Sequence, residues 1–340
     1  MRTSLDPANV DSEHSWLRAT ASSNFAHELG WAIVKLVGTL IAVSLVVFLA
    51  TVAVPGDPAR AVLGKYATAS ELRAFDVQYG LNRPVVEQYW LWISHFVRGD
   101  FGTSYGGGTV LSLIEPRLPR SLFLGAYGFV IAGVVGVPVG LFAARRSGRR
   151  DDIVLTGLTV TVGALPEFVI GILLIMVLGV WIPLFPASST QVGLVLDPFA
   201  VLRAYTLPAF AVSLTIIPYI VRLTRANGRE VMRQPYIRAA TLRGLSPTRI
   251  MGYHVLPNAA PPVVNVLALQ LASTIGGVVI TETVFGVPGI GQLLIESVSD
   301  RDLPVVQTLA LMIGGAYVVA NLLADLAVKL MTPKLRVAAR

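Results

Sequence analysis

The chain has 340 residues, of which 54% are hydrophobic and 14% charged, with a formal net charge of +7 and no cysteine. Soluble domains carry roughly 25% charged residues, so the apolar excess here must face something other than water, and lipid is the natural candidate. The missing cysteine excludes disulfides, zinc–thiolate sites, iron–sulfur ligation and thiol catalysis.

Residues 1–30 read as a polar N-terminal extension, and a first apolar span follows at 31–54 with Lys35 as its one charge. Its apolar stretch is longer than that of a signal peptide and no small-residue cleavage site follows, so the span is expected to be retained. A long loop, 55–120, opens with Pro55-Gly56-Asp57-Pro58. Within it, residues 85–99 read as an amphipathic helix whose Trp90, Trp92 and Phe96 suit either interface anchoring or contact with an outer protein. The second span, 121–144, has no charge. The third apolar run, 153–182, is interrupted by Pro166-Glu167. Neither piece reaches the roughly 20 residues that cross a hydrocarbon core, so one long, kinked span is expected. Runs at 205–224, 258–284 and 304–328 bring the expected spans to six. Gly136 and Gly140, and Ala316, Ala320 and Ala324, recur every four residues, a spacing that suits close helix packing.

The cations set the orientation. With the N-terminus placed in the cytoplasm, 18 of the 27 Lys and Arg fall inside and nine outside, seven of those nine in the long loop, where the positive-inside bias weakens. Both termini are therefore expected to be cytoplasmic, and the basic surplus reports topology, not nucleic-acid binding. The fold class is all-α: a polytopic membrane protein of six transmembrane helices.

One inside loop, 225–257, is rich in arginine, with Glu230 its one acid. Gln234-Pro235 can start a helix, Gly244 can stop it, and Ser246-Pro247 supplies an N-cap and N1 proline for a second. Ile237, Ala240 and Leu245 give the pair a modest apolar face. A basic amphipathic segment of this kind could equally lie on anionic headgroups.

The order Arg238-Ala239-Ala240, three residues, Gly244-Leu245, eight residues, His254, one residue, Leu256-Pro257 resembles the EAA loop of ATP-binding-cassette importer permeases, with Arg238 in place of the acid and His254 in place of an isoleucine. The resemblance extends over 31–337. Pro55-Gly56-Asp57-Pro58, Leu81-Asn82-Arg83-Pro84, Gln88-Tyr89 and Arg98 to Ser104 are similar to the outer loop of the dipeptide/oligopeptide permease subunit. Glu282 to Phe285, Pro288 to Gly291, and Asn321 to Asp325 with Pro333 are similar to its later segments. The resemblance implies a type I importer permease fold in a bacterial cytoplasmic (inner) membrane. It further implies a homologous second permease subunit, two ATPase subunits or domains docking on 225–257, an extracytoplasmic binding protein, and a peptide substrate.

The chain's own chemistry is sparse. Gly64-Lys65 is followed by Tyr66 and lacks the upstream glycine of a phosphate-binding loop, so no cofactor is expected on this chain, and ATP with Mg²⁺ belongs to the partners. Gly286 to Gly291 follows a span, not a strand, and is expected to shape a tight turn at the outer face. His14, His27, His95 and His254 are dispersed, so neither a metal site nor a catalytic site is expected. Glu282 and Asp325 lie near span ends, where each is expected to reach water. Glu167 lies near mid-span, where an ionised acid is disfavoured by roughly 2.5–3.5 kcal/mol on insertion scales. It is expected either to line the translocation pathway with Pro166 and Glu282 or to hydrogen-bond a neighbouring helix. Rival readings are a permease of the same family for nickel, glutathione or a sugar oligomer, an ion-gradient-driven secondary transporter, for which one deep acid and no obvious inverted repeat is poor support, and a non-transporting scaffold.

Overall fold

A computed structural model describes residues 7–53, 56–190 and 197–331. Pro55 and Pro333 lie outside these residues, and the side chains of His14 and His27 are outside the description as well. The regular elements among the described residues are all helices, with no strand among them.

α1 (Pro7–Ala53) carries the first apolar stretch, Gly30–Ala53, of which only 17% is buried, so it sits at the rim of the bundle. The long loop folds into four short helices, α2 (Pro58–Leu63), α3 (Ala69–Gln78), α4 (Val85–Val97) and α5 (Val110–Ile114). α6 (Leu118–Arg145) and α9 (Pro198–Met232) form the centre, the apolar window of α9 being 56% buried. Their seam is a ridge of small residues. Gly128, Ala132, Gly136, Gly140 and Ala144 are all buried, and a Cβ on Gly136 or Gly140 would lie 2.8 Å from Ile220 or 2.6 Å from Thr224. Backbones approach this closely only where side chains are absent. The expected Gly136–Gly140 pair is thus part of a longer stripe. On α14 (Leu303–Met331), by contrast, Ala316 is exposed, and the neighbouring Gly314 and Gly315 meet Val43 and Leu40 of α1.

The third apolar run is more sharply divided than a kinked helix. α7 (Arg150–Ala164) and α8 (Glu167–Leu174, continuing as π-helix through Trp181) meet at 107°. Pro166 lacks an amide proton and disfavours a helical conformation at the residue before it. Leu165 and Pro166 are accordingly both extended, with ψ of 136° and 143°, and two extended residues in succession redirect the chain. Five helices are long and apolar enough to cross a bilayer, and the bent pair makes six if counted as one span. α12 (Leu256–Phe285) packs on α9, α14 and α8, and α13 (Ile290–Ser299) lies across the end where α12 finishes.

Candidate functional site

Residues 225–257 contain less loop than expected. α9 continues to Met232, α10 occupies Pro235–Leu242, and a second helix begins at Pro247 (α11, Pro247–Ile250), passes through a π-helical turn at Met251–Val255 and runs directly into α12. Leu256 and Pro257 therefore open the membrane helix itself.

The turn between α10 and α11 follows from the spacing of Ala240 and Gly244. The Leu245 amide donates to the Ala240 carbonyl (3.3 Å) and the Gly244 amide to that of Thr241 (3.0 Å), with Gly244 at φ +75°. This is the Schellman arrangement, which satisfies the last carbonyls of a helix and favours glycine at the left-handed position. Ser246 then caps α11 by accepting from the Arg249 amide. Ile237, Ala240, Ile250 and Val255 close into a small core with Leu141, Val231 and Leu245. Opposite that core, Arg238, Ala239 and Arg243 are exposed together with Tyr236, Leu242 (90% exposed) and Tyr253 (76%). His254 is half-buried, and its carbonyl accepts from Asn258. The segment thus has one face committed to the permease and one apolar, cationic face uncovered by this chain.

The pathway candidates separate. Pro166 is exposed at the break, and Glu167 is half-buried, accepting a 2.6 Å hydrogen bond from the Thr281 hydroxyl on α12. Gly277 makes room for the carboxylate: a Cβ there would stand 2.6 Å from Glu167 Oε2. The hydrogen bond to a neighbouring helix is therefore made. Glu282 does not reach water as expected, for its side chain is fully buried. Its Oε2 accepts from the amides of Gly291 (2.7 Å) and Gln292 (3.3 Å), the first turn of α13. A helix N-terminus offers unpaired N–H groups and positive potential, so the carboxylate finds both partners and favourable field there. Gly289 and Gly291 leave the space it fills, Gly286 at φ +66° ends α12, and Ser121 accepts from the Ile290 amide. The Gly286–Gly291 cluster is thus a seat for Glu282 as well as a turn. Asp325 is exposed.

The long-loop motifs are turn and capping chemistry. Asp57 caps α2, Gln88 donates to the Leu81 and Arg83 carbonyls, and Asp100 accepts from the Gly102 amide. Ser104 donates to buried Asp302, beside a cluster of Phe75, Tyr79 and Tyr105. Burial, with Asp302 nearby, raises the Tyr105 hydroxyl above the usual tyrosine range. On α4, Trp92 stacks on Phe48 of α1 while Trp90 is 65% exposed, so the aromatics divide between packing and surface.

One polar contact was not foreseen. Asp152, 1% exposed near the start of α7, accepts from Arg225 of α9 at both carboxylate oxygens (2.5 and 2.8 Å) and from the Gly148 amide (2.9 Å). Only the position of an acid beside the Arg145–Arg150 cluster, with Arg225 among the basic residues of the next inside segment, hinted at it.

Comparison with known proteins agrees with this architecture. Residues 136–337 match the family described as "Binding-protein-dependent transport system inner membrane component", and residues 30–120 match its N-terminal counterpart. The chain is 36% identical to a probable peptide ABC transporter permease protein of Sinorhizobium fredii, over 89% of this chain and 97% of that one. It is 33% identical to the oligopeptide transport system permease protein AppB of Bacillus subtilis (87% and 95% covered), and 34% identical to the glutathione transport system permease protein GsiC of Escherichia coli K12 (91% and 99%). The chain belongs to the family of binding-protein-dependent transport system inner membrane components, the ABC importer permeases that residues 238–257 resemble.

Proposed function

We propose that this chain forms half of the translocation pathway of an ATP-driven peptide importer and couples, through residues 235–257, to separate ATPase subunits. The observation that carries this reading is the uncovered face of α10 and α11. A Schellman turn at Gly244 presents Leu242, Tyr236, Arg238 and Arg243 outward on a small dedicated core, the form expected of a docking element. Peptide cargo is supported by two relatives, a probable peptide permease and an oligopeptide permease, that align along most of the chain. In this reading both termini are cytoplasmic, an extracytoplasmic binding protein delivers peptide to the long-loop side, and a homologous permease completes the pathway. ATP and Mg²⁺ are used by the ATPases, and this chain catalyses no reaction itself.

Glu167 is the pathway residue of this proposal. It stands beside the break between α7 and α8, half-buried, with one carboxylate oxygen held by Thr281, and offers a negative group to a peptide ammonium or a cationic side chain. Glu282, fully buried with Oε2 on the Gly291 amide, serves in this reading to hold α13 against α12.

Co-purification of the tagged chain with ATPase subunits tests the assembly; a chain that purifies with no ATPase sinks the reading. Gly244→Trp should spare binding-protein capture of substrate while separating ATP hydrolysis from uptake, and normal uptake with normal ATPase stimulation would remove the coupling assignment. Glu167→Gln should lower uptake of cationic peptides relative to neutral ones; equal uptake of both removes the substrate role. A second cargo has comparable support, since the glutathione permease is 34% identical over 91% of this chain. Competition of labelled peptide uptake by glutathione distinguishes the two.

A further inference from the structure

The geometry points to Asp152 and Arg225 as a positioning pair that makes α7 move with the coupling segment and so carries displacement to the break at Leu165-Pro166. This rests on the coupling role proposed for residues 235–257. Arg225 lies on α9 about 10 Å along the helix from its end at Met232, taking the rise of an α-helix per residue. The pair therefore sits close to where α9 passes into α10. Asp152 is the second helical residue after the start of α7, and no other side-chain hydrogen bond joins α7 to α9 among the described residues. Elsewhere α7 is in apolar contact with α9, such as Gly163 against Pro218, while Ile153, Val154, Leu158 and Val160 are exposed.

Apolar contact between smooth helices resists separation more than it resists sliding. A two-point guanidinium–carboxylate pair fixes both distance and orientation, and the Gly148 amide adds a third bond that ties the preceding turn to the same carboxylate. The other half of the broken span packs on both α9 and α12, but its polar tie is to α12: Glu167, at the start of α8, is bonded to Thr281. α9 and α12 are the two helices that lead into and out of the coupling segment. The polar tie of each half thus goes to a different one of them, so that a shift of one helix relative to the other loads the extended residues Leu165 and Pro166.

The test uses the assembled transporter in proteoliposomes and reads three quantities: ATPase subunits bound per permease, ATP hydrolysis, and peptide taken up per ATP hydrolysed. With Asp152→Asn, bound ATPase and ATP hydrolysis should persist while uptake per ATP falls by roughly ten-fold, within the span of ordinary inter-site coupling. Arg225→Lys, which keeps the charge and forfeits the two-point grip, should give an intermediate ratio. An unchanged ratio in Asp152→Asn overturns the proposal, as does a parallel fall of uptake and hydrolysis, which is what a merely structural role produces. If Asp152→Asn does not assemble, Arg225→Lys decides: a lowered ratio supports the proposal and an unchanged ratio overturns it. Absence of ATPase from the unsubstituted complex would count against the coupling segment itself, a result separate from the behaviour of the pair.

Discussion

The two ends of the bundle are built by different means. At the long-loop end the polar groups are turned inward: Glu282 is seated on the amides of α13, Asp302 takes the Ser104 hydroxyl, Ser121 takes the Ile290 amide, and the rings of Phe75 and Tyr105 pack together. At the other end α10 and α11 turn their best apolar and cationic side chains outward, and their own core is a few residues centred on Ile237, Ala240, Ile250 and Val255. Buried carboxylates that lose their partners are costly, and at the first end this chain supplies partners to one oxygen of each, Oε2 of Glu282 and Oδ2 of Asp302. The second leaves a surface that an additional protein can cover. The comparison teaches that the two ends use their polar side chains differently, inward against groups of this chain at one and outward on an uncovered face at the other.

That contrast can be broken most directly at Glu282. Glu282→Ala orphans the Gly291 amide and empties a buried site, and should lower stability by roughly 1–3 kcal/mol for the unsatisfied group alone. Thermal unfolding of the purified complex measures it, and an unchanged midpoint would mean that this end is not held from within. Gly244→Val should have a smaller effect on stability, about 1–2 kcal/mol for a side chain forced into the left-handed region, with no clash because the site around Gly244 is open. Its signature should lie in uptake per ATP. A shift in unfolding midpoint larger than that of Glu282→Ala would invert the comparison.

Thr68 offers a finer probe of the long-loop end. Thr68→Ala removes the cap of α3 and should cost about 1 kcal/mol. Hydrogen bonds from the Thr68 amide and hydroxyl hold the Glu71 carboxyl below the usual carboxylate range. Because the folded value is depressed, Glu71 contributes above its unfolded pKa and that contribution is lost as pH falls through the folded value. NMR titration should find Glu71 returning toward the ordinary range in the variant, and an unshifted titration would remove the capping box from the account. Smallest of all, Trp90→Ala should change stability by less than about 0.5 kcal/mol, since Trp90 points away from the contact that Trp92 makes with Phe48. A larger loss in lipid would show that Trp90 anchors the long-loop end from outside.

Much of this was legible in local pattern. Apolar run lengths identified helices that cross a membrane, and the Ala240-x3-Gly244 spacing with Ser246-Pro247 located the turn between α10 and α11, because capping depends on residues within a few positions of one another. Glu167 was legible as an acid needing a partner, and Thr281 is that partner. The sharpness of the break at Pro166 was less so: a proline says that a helix is interrupted, while the angle depends on what α7 and α8 each pack against.

What the amino-acid order determined by itself was the membrane setting, the helical class and the position of the turn between α10 and α11, each fixed by composition or by short-range hydrogen bonding. Only the tertiary structure decided that Glu282 is buried on the first turn of α13, that Gly128 to Ala144 form one continuous stripe against α9, and that Asp152 meets Arg225. The physical reason is that whether a polar group near a span end meets water or another helix depends on which segment folds over it. For Asp152 and Arg225 the partner lies 73 residues away in the chain, a separation that periodicity and capping rules cannot bridge.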